Sequence, residues 1–319
     1  MTRALPYLDA VAVRAATPWP ALIDALRTAF REGCVVPPRH HHTIEVPGGR
    51  DATLLLMPAW RPGAALGVKL VTVFPGNDAR GLPAVAGLYL LLSAETGEPL
   101  ALIDGAELTA RRTAAASALA ATFLAREDAR RMVMVGTGRL APELVAAHAS
   151  VRPTLRDVAV WGRDPAKAEA LAARLARETG LGVAAAVDLE AAVRGADLVS
   201  CATTSAVPLV GGAWLRDGAH LDLVGGFTPA MREADDDAVR RARVWVDTLD
   251  GATREAGDIV GPLTNGALTR EAIVGDLFSL CRGEVVGRSG PAEVTLFKSV
   301  GTALEDLAAA TLVAGAVPA

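Results

Sequence analysis

The chain has 319 residues, of which 51% are hydrophobic and 21% charged. That composition supports two cored domains, or one with a large insertion, and excludes a disordered chain. Lys and Arg total 32 against 36 Asp and Glu, a net charge of −4, so no basic footprint points to a nucleic-acid partner. A membrane span is not expected either. The longest charge-free run, between Asp197 and Arg216, is interrupted by Thr203, Thr204, Ser205, Pro208, Gly211 and Gly212, and a spanning helix needs roughly 20 apolar residues. Arg3, Asp9 and Arg14 break up the N-terminus and leave no signal-peptide core. Cys34, Cys201 and Cys281 are odd in number and widely spaced, which reads as small buried hydrophobes in a reducing compartment. The expected setting is cytoplasmic.

In chain order, Trp19–Glu32 carries Leu22, Ile23, Leu26 and Phe30 at helical spacing, with Thr17-Pro18 as a start signal. Short apolar runs follow at 53–57, 67–74, 85–93 and 100–103. Gly and Pro clusters separate them, so they read as strands joined by turns. The texture changes near residue 109. An Ala-rich stretch over 109–126 predicts a long helix, and strands then alternate with helices. Strands are expected at 131–135, 157–161, 183–186, 198–202, 220–224 and 244–246. Helices are expected at 140–150, 165–179 and 188–194. Alternating units with apolar strands imply an α/β fold whose parallel sheet is covered on both faces. A final Ala-rich helix over 299–313 lies beyond that pattern and is expected to return to the first domain.

Arg131–Val135 leads into Gly136-Thr137-Gly138-Arg139-Leu140-Ala141, the GxGxxA pattern after a strand and before a helix. Gly136 permits a tight turn. Gly138 lets a pyrophosphate approach the positive end of the helix dipole, and Ala141 allows close helix packing. An ordinary glycine turn is the bland alternative, but the strand, the helix and a second strand about 20 residues on favour a dinucleotide. The second strand ends Val160-Trp161-Gly162-Arg163-Asp164. An NAD-selective site places a carboxylate at that tip, whereas the guanidinium of Arg163 suits a 2′-phosphate. NADPH is therefore expected ahead of NADH, with Asp164 as the competing carboxylate.

Several ordered motifs resemble the ornithine cyclodeaminase/μ-crystallin family over nearly the whole chain. They are Pro37-Pro38-Arg39, Leu56-Met57-Pro58, the run from Gly67 to Pro75, the run from Leu108 to Ala115, Gly136-Thr137-Gly138, Glu255-Ala256-Gly257-Asp258, the run from Thr295 to Gly301, and Glu305-Asp306. The resemblance implies a Rossmann doubly wound sheet, 113–292, inserted into a second α/β dimerisation and substrate domain, 1–112 plus 293–319. It also implies an active site in the cleft between them and a homodimer. Arg39, Lys69 and Arg112 would hold the carboxylate of an amino or imino acid. Arginine offers a planar fork and lysine a compact charge. Lys69 interrupts an apolar strand and by alternation shares a face with Val71 and Val73, a costly placement unless it is paired or lines a cleft. Arg111 and Arg112 are adjacent on one helix and cannot share a face; the motif assigns the role to Arg112. Thr113, Gly136, Thr137, Gly138, Arg139, Leu140, Arg163, Thr203 and Val224 are the expected cofactor contacts.

True ornithine cyclodeaminases carry an aspartate after the later glycine pair. Here the segment reads Gly225-Gly226-Phe227-Thr228-Pro229. A phenyl ring neither pairs with an ammonium nor transfers a proton. The segment looks instead like the ketimine reductases of the family, which reduce Δ1-pyrroline-2-carboxylate to L-proline. Phe227 can pack beside an apolar ring, and Lys69 is the candidate to orient or protonate the imine nitrogen. The expected activity is NAD(P)H-dependent imine reduction on a small cyclic imino acid with a five- or six-membered ring. The alternatives are an ornithine cyclodeaminase-type lyase with recycled NAD, an alanine dehydrogenase, and a non-catalytic μ-crystallin-like ligand binder.

Consecutive His40, His41 and His42 cannot face one ion together and have no supporting ligands, so they read as a polar loop beside Arg39 rather than a metal site. Asp235, Asp236 and Asp237 suit a helix start. Thr203 and Thr204 follow a strand and would lie near the cofactor. Ser299, in the C-terminal motif, is a substrate or nicotinamide contact on the resemblance alone.

Overall fold

The computed structural model describes residues 4–316. Arg3, used above in reading the N-terminus, lies outside them. The chain divides into two units, 1–112 with 302–319, and 113–301.

The first unit contains β1 (Tyr7–Leu8), α1 (Ala10–Ala16), α2 (Trp19–Glu32), β2 (His40–Ile44), β3 (Ala52–Arg61), β4 (Ala65–Val73), β5 (Val85–Leu92), β6 (Pro99–Asp104) and the first turns of α3 (Gly105–Leu124). Its sheet has the order β1-β6-β5-β4-β3-β2. The pair β1–β6 is parallel and the others antiparallel. Alternation sends Met57, Ala59, Gly67, Lys69, Tyr89, Leu91, Ala101 and Ile103 to one face. There they are buried, and the C-terminal helix packs against β3–β6 and α2. The other face carries Leu54, Leu56, Val68, Leu70, Leu88 and Leu90 in adjacent register. It is half-exposed to exposed, with Leu70 and Leu88 each at 42%.

The second unit contains β7 (Arg131–Val135), α4 (Leu140–Val151), β8 (Asp157–Trp161), α5 (Pro165–Thr179), β9 (Gly182–Ala185), α6 (Leu189–Arg194), β10 (Leu198–Cys201) and β11 (His220–Leu223). It continues through α7 (Asp236–Arg241), β12 (Arg243–Val246), α8 (Leu249–Glu255), α9 (Gly257–Asn265), β13 (Ile273–Asp276), α10 (Leu277–Arg282) and β14 (Thr295–Lys298). All eight strands are parallel, in the order β13-β12-β14-β11-β10-β7-β8-β9. The four residues of each central strand β10, β11 and β14 are all buried, as a sheet covered on both faces requires. The strand order reverses at β7, with β8 on one side and β10 on the other. That reversal opens a crevice beyond the strands' carboxyl ends. The last helix, α11 (Ala303–Gly315), belongs to the first unit.

Several local expectations change. His40–Ile44 is a strand, not a polar loop, because its backbone pairs with β3 from Ile44↔Ala52 to His40↔Leu56. Residues 293–301 belong with the parallel sheet rather than with the C-terminal return. Strand β14 pairs with both β11 and β12, so the division falls after Gly301. α11 begins at Ala303 rather than at Ser299, because the Thr302 side chain accepts from Leu304 N and caps it. Thr17 does not cap α2; its hydroxyl donates to Val13 O at the end of α1. Of the cysteines only Cys201 is buried, Cys34 and Cys281 being intermediate. Asp235 caps α7 by accepting from Ala238 N, with Asp236 and Asp237 in its first turn. No helix among the described residues is long and apolar enough to cross a membrane.

Candidate active site

Two constellations emerge, one in each unit. In the first, strand alternation turns Lys69 onto the packed face of β4, where it is 2% exposed. An ammonium is stable there only with partners. Its Nζ lies 2.7 Å from Asp306 Oδ2 and donates to Thr109 Oγ1 at 3.5 Å. Arg112, on α3 and 5% exposed, donates from Nε to Asp306 Oδ1 at 2.9 Å and from Nη1 to Glu305 Oε2 at 2.7 Å. Glu305 and Asp306 occupy the first turn of α11, where the helix dipole favours carboxylates. Burial pushes the Lys69 ammonium down to about 8; Asp306 opposes that, while Arg112 and Arg39 add to it. Arg39, half-buried, is thereby within electrostatic reach of the same group. Asp306 is held below its ordinary range by Arg112 and Lys69, which outweigh its burial. Arg111 turns elsewhere: its Nε donates to Thr17 Oγ1 at 3.2 Å and its guanidinium sits 3.5 Å above the Trp19 ring.

In the second unit, a cavity of about 290 Å³ lies at the reversal of the strand order. Gly136, Thr137 and Gly138 line it from the end of β7, Trp161, Gly162 and Arg163 from β8, and Ala202, Thr203 and Thr204 from β10. Gly136 has φ +117°, and a Cβ there would meet Ala202 O at 2.6 Å. A Cβ on Gly162 would lie 2.7 Å from Thr137 Cγ2, whereas one on Gly138 would meet nothing within 4 Å. The turn is therefore tight on the protein side and open toward the cavity, which fits a pyrophosphate approaching its backbone N–H groups. Arg163 and Lys167 are exposed at the rim. Asp164 accepts from Ala166 N and Lys167 N as the cap of α5. That commits one of its oxygens to the helix.

Arg139 and Leu140 open α4 beyond the glycines, Arg139 exposed and Leu140 half-buried. Thr113 and Val224 are buried, and neither they, Arg139 nor Leu140 is among the residues lining the cavity. Phe227 follows β11 and is 49% exposed. Ser299 follows β14 and is buried, with no hydrogen-bond partner for Oγ among the described residues. Among the described residues no group of three or more His, Cys, Asp or Glu could hold a metal ion.

Composition and spacing left two groups of residues without a role. One is the pair Glu305 and Asp306, which counterbalance the buried cations. The other is Glu233, which accepts from Thr203 N at 2.6 Å and Gly225 N at 2.7 Å and so ties the loops after β10 and β11 together. Asp258 supports it by accepting from Glu233 N at 2.7 Å and lies 3.2 Å from Lys298 Nζ. A T-x-x-E signal at Thr302–Glu305 marks a helix start, but nothing local joins Asp306 to a lysine on another element.

The sequence pattern of the ornithine cyclodeaminase/mu-crystallin family matches residues 7–318. The chain belongs to this family. The Δ1-pyrroline-2-carboxylate reductase of Paracoccus denitrificans is 40% identical over 287 residues, which cover 90% of each chain. The structure of the Thermococcus litoralis Δ1-pyrroline-2-carboxylate reductase, in complex with NADH and L-proline, superposes with a TM-score of 0.91 at 32% identity. It covers 98% of this chain and 97% of that one. An archaeal alanine dehydrogenase dimer with bound NAD gives 0.88 at 28% identity, over 98% of this chain and 95% of that one.

Proposed function

We propose that this family member reduces a small cyclic α-imino acid of the Δ1-pyrroline-2-carboxylate class, using NADPH in preference to NADH. The observation that carries the reading is the buried pair Lys69 and Arg112, gripped by one carboxylate, Asp306, with Arg39 in electrostatic reach. Buried cations fixed by carboxylates keep their positions and so are preorganised to bind an anionic group. The identity with reductases of that name and the likeness to the reductase holding NADH and L-proline support the same substrate class.

The residues divide the work by chemistry. Arg39, Lys69 and Arg112 bind the substrate carboxylate. Phe227, where a cyclodeaminase has an aspartate, supplies apolar surface and no proton-transfer group. Ser299 offers a hydroxyl for a polar contact. Lys69, brought to about 8 by burial, is an acid matched to an imine nitrogen near neutral pH. Gly136, Thr137, Gly138 and Thr203 form the pyrophosphate cradle. Arg139 and Leu140 follow it in sequence at the start of α4, Val224 follows β11, and Thr113 lies on α3. Arg163, with Lys167, receives the 2′-phosphate. The reduced nicotinamide, when bound, supplies a hydride to the C=N carbon. The apolar face of the first unit's sheet leaves Leu70 and Leu88 each 42% exposed beside half-buried Leu54, Leu56, Val68 and Leu90, and contiguous exposed apolar surface marks contact sites. The dimeric neighbour supports a homodimer, and that face is the surface we assign to its contact.

The test is steady-state oxidation of NADPH and NADH with Δ1-pyrroline-2-carboxylate and Δ1-piperideine-2-carboxylate. Turnover of either imine, faster with NADPH, is expected. Ammonia release from ornithine without net coenzyme oxidation would replace the reading with a lyase. Turnover of pyruvate and ammonia with NADH, and of no cyclic imine, would replace it with an alanine dehydrogenase. Imine binding with no turnover would leave a ligand-binding protein.

A further inference from the structure

We propose that Asp306 is a positioning residue: it holds Lys69 as an ammonium with one carboxylate oxygen and Arg112 with the other, so that the proton donor and the carboxylate clamp are set by a single side chain. This rests on the imine-reduction reading, in which Lys69 is the proton donor, and adds the group that controls that donor.

The geometry is specific. Oδ2 lies 2.7 Å from Lys69 Nζ and Oδ1 2.9 Å from Arg112 Nε, with the aspartate side chain fully buried. A carboxylate with one cation on each oxygen has little freedom to rotate, so Nζ and the guanidinium keep a fixed separation. Glu305 contacts Arg112 at Nη1. The groups that face Lys69 come from each element packed on β4. Strand β3 presents Met57 and β5 presents Tyr89 across the ladder. Burial, with Asp306 adding to it, pushes the Tyr89 phenol well above its ordinary value, so it stays neutral. Helix α3 brings Thr109 and Arg112, and α11 brings Asp306 and, beyond Arg112, Glu305. Arg39 acts from the segment before β2. Burial, Arg112 and Arg39 all favour loss of the Lys69 proton, and Asp306 is the group that opposes them.

In the step, a hydride from the reduced nicotinamide bonds to the imine carbon. The C=N π pair moves onto nitrogen, which takes a proton from Lys69 Nζ. The products are the secondary amine, the oxidised cofactor and a neutral Lys69 amine that recovers its proton from solvent. Overall, one imine, one reduced dinucleotide and one proton give one amine and one oxidised dinucleotide.

The experiment is the pH profile of kcat/KM with Δ1-pyrroline-2-carboxylate for the wild-type chain, K69R, D306N, D306E and E305Q. Wild type should lose activity above about pH 8. D306N should move that limb down by about one to three pH units, the usual effect of an opposite charge at this distance. E305Q should raise KM and leave the limb in place. K69R should carry the limb beyond the measured range. D306E keeps the charge but displaces it, so its limb should stay near the wild-type position while kcat falls at least about tenfold. That arm decides the matter if D306N does not fold. A D306N limb at the wild-type position, a D306E enzyme with wild-type kcat, or a K69R limb that does not move would each overturn the proposal with imine reduction intact. A wild-type chain that turns over no imine would instead remove the reduction reading itself.

Discussion

Replacing Arg112 by methionine tests the buried charge cluster apart from catalysis. Arg112 is 6% exposed at its side chain, and its partners Glu305 and Asp306 are at 0%. The substitution keeps most of the apolar stem but removes two charge-assisted hydrogen bonds, of 2.7 and 2.9 Å. It leaves Asp306 with Lys69 as its cation and takes Arg112 from Glu305. Breaking a buried ion pair from one side costs about 3–5 kcal/mol, because the remaining charge stays desolvated. Neutralising Glu305 in the same chain should then return about 1–3 kcal/mol, as expected for residues in direct contact. Urea unfolding followed by far-UV circular dichroism, with R112M, E305Q and the double variant against wild type, completes the cycle. R112M should unfold at lower urea with an unchanged slope, and the double variant should lie between R112M and wild type. A loss under about 1 kcal/mol for R112M, or a double variant no more stable than R112M, would refute the view that Arg112 neutralises these carboxylates.

Lys69→Ala and Arg112→Ala should each lower kcat/KM at least about tenfold, equivalent to roughly 1.4 kcal/mol of transition-state stabilisation; unchanged kinetics would remove the clamp. Arg163→Ala should raise KM for NADPH about tenfold and leave NADH nearly unchanged, since an exposed charge-assisted contact to a phosphate is worth about 1–2 kcal/mol. Equal effects on both coenzymes would refute the 2′-phosphate role. Leu70→Lys together with Leu88→Glu, on the exposed sheet face, should shift the sedimentation coefficient from dimer to monomer; an unchanged value would exclude that face as the contact. His220 is fully buried, and burial brings its imidazole down to about 3. The unfolded chain binds that proton below about pH 6.5 and the folded chain does not. His220 therefore contributes a loss of stability of a few kcal/mol as pH falls from about 6.5 to 3. Urea midpoints for wild type and His220→Gln over that range should converge on acidification; parallel curves would show that His220 is protonated in the fold.

Much of the parallel sheet was legible in the sequence. α2, β7, β8 and α5 have the bounds read from periodicity and punctuation, because each buries a regular apolar pattern and ends at a cap, a Gly or a Pro. The glycine turn was legible for the same reason: the positive φ of Gly136 and the open side of Gly138 are local requirements. Strand β2 was not. Three histidines show neither alternation nor apolarity, and only pairing with β3 makes them a strand. Strand β14 was hidden within a family motif. Its four residues carry too little pattern to announce a strand, and its place between β11 and β12 depends on partners far away in the chain.

The order of residues alone determined that two α/β textures exist, that a dinucleotide turn opens the second, and that Lys69 shares a strand face with Val71 and Val73. These follow from short-range periodicity and backbone sterics, which act over a few residues. Tertiary structure decided which groups meet Lys69. Asp306, in the first turn of α11, meets Arg112 from 194 residues away and Lys69 on β4, and Glu233 ties two strand-end loops by backbone N–H groups that no pattern marks. Electrostatic partners are chosen by proximity in space and by exclusion of water, and neither is written into spacing along the chain.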